Sequence, residues 1–152
     1  MDALRPKLAS TRVVELLRRW VLGVIVLGLI GTVTELLLLE HYEEPLQFVP
    51  LVLIATAMIV LAWHVRRQDV ASLRAIQIVM GLFVLAGFVG MAAHFRGSAE
   101  YQLEIDPDIG RWDLLKKILQ AKAPPLLAPG MMIQLGLLGL AYAYTDFRYR
   151  KE

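Results

Sequence analysis

Residues 20–39 form an uncharged run interrupted by a single ionisable side chain, Glu35. About 20 residues of helix cross the ~30 Å of hydrocarbon in a bilayer. Three further runs of this kind follow, at about residues 48–63, 75–95 and 126–144. Hydrophobic residues are 57% of the chain and charged residues 20%, and the charges are clustered between the runs. That distribution predicts an all-α integral membrane four-helix bundle with polar ends, not a soluble domain with charge along every helix.

The boundaries carry the expected chemistry. Trp20 and Trp63 stand where interfacial aromatics belong, and His64, Arg66 and Arg67 continue the second boundary. Pro45 and Pro50 stop one helix and start the next. A signal peptide is the competing reading of the first run. The run is too long for that, lacks a small-x-small cleavage site and ends in Glu40-His41, so it reads as an uncleaved span. The chain thus divides into a basic segment 1–19, a four-span domain 20–145 with a long outer loop 96–125, and a basic tail 146–152.

Within the long loop, Trp112, Leu115, Ile118 and Leu119 fall on one helical face, with Asp113, Lys116, Lys117 and Lys122 elsewhere. This predicts a short amphipathic helix, either lying in the headgroup plane or capping the bundle. Orientation follows from Lys and Arg. The N-terminal segment carries five, the 66–74 connection three and the tail three. The loop from Glu40 to Gln47 carries none and has three acids, while the long loop balances five against five. Both termini are expected in the cytoplasm of a cell whose inner membrane holds the protein. A net charge of +2, placed beside spans, is no nucleic-acid footprint.

Spans one and three align without a gap. Gly28, Gly31, Glu35 and Tyr42 share their spacing with Gly87, Gly90, His94 and Tyr101. At about 100° per residue each set occupies a stripe roughly 60° wide. Small residues let helices approach in lipid, so the glycine face is expected to be the inner face. Glu35 and His94 would then look into the bundle, related by a rough two-fold axis along the membrane normal. Gln134, one turn inside span four, lies at a depth comparable to Glu35, and Gly136 and Gly139 give that span its own small-residue face.

Four stretches, residues 34–39, 41–43, 124–130 and 134–140, resemble small four-span bacterial membrane proteins of no assigned function. The resemblance implies an integral inner-membrane protein and no particular activity.

The polar residues permit several chemistries. Glu35, His94, Tyr42, Tyr101 and Gln134 are expected to form a buried polar cluster near the outer leaflet, with an imidazole–carboxylate pair fixing helix register. The same region offers Glu35, His41, His94 and Glu100 to a metal ion, or His41 and His94 to a haem. Against a metal, no Glu-x-x-His or His-x-x-x-His spacing occurs, and His41 lies about 240° around the helix from Glu35. A carboxylate raised by burial beside a histidine would also respond to protons. His64 reads as an interfacial residue, and the outer acids as a solvated surface. With no cysteine, thiolate ligands and nucleophiles are excluded, and no GxSxG, Walker, HExxH or GxGxxG motif occurs. The sequence therefore predicts a non-enzymatic membrane protein that binds a small ligand or partner through the outer cluster, as an accessory subunit or a homo-oligomer. A metal or haem redox protein and an oligomeric proton or ion carrier are the alternatives.

Overall fold

The computed structural model describes residues 4–40, 45–120 and 127–149, with side chains described at 12–40, 45–120 and 129–144. Every regular element among them is helical: α1 (Leu4–Leu38), a 3-10 turn (Pro45–Gln47), α2 (Phe48–Arg67), α3 (Val70–Ile105), α4 (Arg111–Leu119) and α5 (Leu127–Tyr149). Among the described residues, three stretches are long and apolar enough to cross a membrane: Arg12–Leu38, Pro45–Arg67 and Val70–Ile105.

α3 is the axis of the molecule. It packs most extensively on α5, then on α2, while α1 is held chiefly by α5. Glycines make the α3–α5 seam. A Cβ on Gly136 would stand 2.7 Å from the Met80 carbonyl oxygen and 3.0 Å from the Val84 nitrogen. One on Gly87 would stand 2.8 Å from the Pro129 carbonyl oxygen. Backbones this close leave no room for any side chain. Around the seam, Ile25, Leu29, Ile76, Met80, Phe83 and Leu135 form the buried core. Much of the apolar surface instead points outward, as with Leu27 at 71% and Ile59 at 70% exposed. So large an apolar exterior is the surface a bilayer covers.

The helices run past the expected spans. α2 continues to Arg67, and only Gln68 and Asp69 separate it from α3. Gln68 turns the chain with a left-handed backbone, φ 47°, and its N–H bonds the His64 carbonyl at 2.8 Å. Asp69 caps α3, its carboxylate accepting the Ser72 N–H at 2.8 Å. So short a turn makes α2 and α3 antiparallel neighbours.

α3 then continues ten residues beyond the expected end at Phe95. Its 36 residues make a rod about 54 Å long, well over the ~30 Å of hydrocarbon. Polarity ends a span without ending a helix. Arg96 and Glu100 pair at 2.7 Å one turn apart, and the first proline after Pro50 is Pro107, just past the last turn. α4 packs back on α3 through buried Ile118, with Leu114 and Leu115 half-buried and Lys117 3.8 Å from Asp106. The expected single apolar face is split: Trp112 and Leu119 turn outward, Trp112 at 76% exposed.

Candidate functional site

Two regions of the bundle gather polar side chains, one at each end. Along α3, Ser72 and Gly90 lie 18 residues apart, which places the two regions about 27 Å from each other.

At the end of Glu35, a cavity of about 270 Å3 lies where all four long helices converge. α1 contributes Thr32 and Leu36. The turn before α2 and its first residues contribute Gln47, Val49 and Pro50. α3 contributes Ala86, Val89, Gly90 and His94, and α5 contributes Pro129 and Met132. The glycines and alanines of α3 open this space, since a large side chain at Ala86 or Gly90 would fill it. The walls are apolar except for three groups. Thr32 donates its hydroxyl to the Gly28 carbonyl at 2.8 Å, which spends its only proton within α1. Gln47 and His94 are the other two polar wall residues, and each side chain carries both donor and acceptor atoms.

The expected buried cluster differs from this in its members and its burial. Glu35, His94, Tyr101 and Gln134 are all exposed, and Tyr42 and His41 lie outside the described residues. Glu35 sits on the open side of α1, while Thr32 and Leu36 on either flank turn inward and are buried. The reason is which helices meet. A facing Glu35 and His94 needs a close α1–α3 seam, and the seam that forms is α3–α5. His94 does reach the cavity, at its edge. Glu100 is paired with Arg96 on the overhanging end of α3. Among the described residues no group of three or more histidines, aspartates or glutamates could hold a metal ion.

The glycine stripe divides in the same way. A Cβ on Gly28 would meet the end of Leu135 at 2.5 Å, and one on Gly87 would meet Ile133 at 2.5 Å. Gly90 has Pro129 at an ordinary 3.6 Å, and Gly31 has nothing within 4 Å.

At the opposite end the buried imidazole is His64, only 2% exposed, where a headgroup-facing side chain was expected. Its Nδ1 lies 2.8 Å from the Ser72 hydroxyl, and that hydroxyl donates to the Asp69 carbonyl at 2.9 Å. Ser72 has one proton to give, so His64 carries its proton on Nδ1 and Ser72 accepts it. Tyr142 of α5 meets the imidazole edge-on, ring centroids 5.9 Å apart, and Arg18 of α1 lies 5.2 Å from the Tyr142 ring centroid. Asp69, outside the spans, is held below the usual carboxylate range, first by the Ser72 N–H. All four long helices are tied together here. The arrangement is a structural lock.

The sequence carried a readable sign of this lock. Asp69 three residues before Ser72 is a helix-start pattern, and it places the turn that brings His64 and Ser72 together. No known protein family, curated protein or solved structure matches the chain.

Proposed function

We propose that this is a non-enzymatic integral membrane protein that binds a small ligand in the cavity between its four long helices. One observation carries the reading: an apolar space of about 270 Å3, walled by α1, α2, α3 and α5, with Gln47 and His94 able to orient an occupant. Ligand sites are typically apolar concavities with a few convergent polar groups, often between the helices of a bundle. In this reading α5 is the fourth crossing. Both termini lie on the cytoplasmic side of an inner membrane, as the basic segments at 1–19, 66–74 and 146–152 favour.

Native mass spectrometry of protein extracted from its own membranes in mild detergent tests this. Wild type is expected to retain a bound species that Ala86→Phe loses, because the phenyl ring occupies the cavity. Circular dichroism establishes that the variant remains folded. Wild type without any bound mass, or a bound mass indifferent to the substitution, overturns the proposal.

A further inference from the structure

We propose that the occupant of the cavity is one acyl chain of a bilayer lipid, received sideways from the membrane. This rests on the ligand-binding reading above and names the ligand's class and its route.

The argument begins at the rim. Val49 and Val89 both line the cavity and are 41% and 49% exposed on the outside of the molecule. The cavity therefore reaches the exterior past two valines, between the start of α2 and the far part of α3. Both valines belong to stretches apolar enough to span a membrane. With those stretches set in a bilayer, both valines would meet lipid, and the cavity would be continuous with the surface that lipid covers.

The walls favour the same occupant. Water needs two to four polar partners at a site, and apart from Thr32, Gln47 and His94 the side chains of this wall are apolar. An empty void forfeits the dispersion contacts of its lining. The size is also informative, since pockets for drug-sized ligands run from about 300 to 1,000 Å3. At about 270 Å3 this one falls just below that range, which leaves no room for more than one chain of a lipid. A chain arriving from lipid gains nothing from the hydrophobic effect, because lipid tails are as apolar as the walls. Binding must come from filling the void and from the polar end of the lipid meeting His94 and Gln47. His94 lies one helical turn beyond Gly90, towards the overhanging end of α3, where a lipid's polar end would stand.

Photolabelling in lipid nanodiscs tests the proposal. The probes are a phosphatidylcholine with a diazirine in its sn-2 chain, a diazirine fatty acid, and a water-soluble diazirine alcohol. The phospholipid is expected to label Leu36, Val89 and Met132 severalfold above Leu27, an outward side chain of α1. Ala86→Phe should abolish the excess and leave Leu27 unchanged. Equal labelling of Leu27 and the cavity, or labelling indifferent to Ala86→Phe, overturns the proposal. Labelling by the fatty acid or the alcohol alone overturns the bilayer-lipid source and leaves the ligand site standing. If no probe reaches the cavity and no bound mass is retained, both readings fail. Crosslinks from Val89 to a second copy of the chain would show the cavity covered by protein, which also overturns the proposal.

Discussion

His64 and Ser72 sit eight residues apart on two different helices and share one hydrogen bond, Nδ1 to Oγ at 2.8 Å, fully inside the protein. The bond crosses the tight α2–α3 turn, so it fixes the rotation of both helices about their axes. Ser72→Ala removes the acceptor while leaving the imidazole buried, which costs about 1–3 kcal/mol. His64→Leu destabilises as well, since it also loses the edge contact with Tyr142. Because the two changes share one bond, the double variant should be less destabilised than the sum, by about 0.5–3 kcal/mol. Thermal unfolding of the four proteins in one detergent measures this coupling. Strict additivity would show that the bond does not hold the turn.

Asp69 makes the same turn sensitive to acid. Its carboxyl is held below the ordinary value of 3.8, chiefly by the Ser72 N–H, so the unfolded chain binds its proton more readily than the folded one. The stabilisation is complete above the unfolded pKa and is lost as pH falls through the lower folded pKa. Asp69→Asn keeps an oxygen acceptor for the Ser72 N–H and removes the titration. Its melting temperature should change less than wild type's between pH 6 and pH 3, as measured by circular dichroism; these are ordinary working values on either side of about 4. Asp69→Ala should melt lower than both at neutral pH, because the cap itself is gone.

Gln68 closes α2 with φ 47°, a left-handed backbone that an L-residue adopts at a cost of about 1–2 kcal/mol. Gln68→Gly relieves that cost and returns about 0.5–1 kcal/mol of it to the more flexible unfolded chain. The net expectation is a modest gain in melting temperature. Gln68→Val should lower it, because a β-branched side chain tolerates this region worst. A loss of stability in the glycine variant would mean that the glutamine side chain itself supports the turn.

The apolar runs made the long helices legible, because a bilayer admits almost nothing else to its interior. The site was legible only in part. Two of the three histidines lie among the described side chains, His64 and His94, and their burial is the reverse of the expectation. Depth along a helix is written in the sequence as distance from a charged boundary, but burial depends on rotation about the helix axis. Rotation is decided by which helices touch. Glycines at 28 and 87 suggested an α1–α3 seam, yet both pack against side chains of α5, Leu135 and Ile133. A glycine stripe says that a helix is approached closely and leaves the approaching helix unnamed. The cavity has the same origin, since Thr32, Gln47 and His94 come from three elements whose convergence no local pattern records.

That contrast between glycines makes its own prediction. Gly136→Ala places a methyl 2.7 Å from a carbonyl oxygen and 3.0 Å from a backbone nitrogen of α3. Backbone cannot swing aside as a side-chain end can, so α3 and α5 must separate, and overpacking of this kind costs about 1–3 kcal/mol. Gly139→Ala meets Met80 instead, at Cγ, Sδ and Cε, and a flexible thioether should yield at lower cost. At Gly31 the added methyl meets nothing within 4 Å, and alanine is the better helix former by about 1 kcal/mol. The expected order of stability is Gly31→Ala at or above wild type, then Gly139→Ala, then Gly136→Ala, read from thermal unfolding in a single detergent. If Gly31→Ala proved as damaging as Gly136→Ala, the open side of α1 would be covered by another chain in the detergent-solubilised protein. Mass measurement by light scattering would then show an oligomer in wild type that the variant loses.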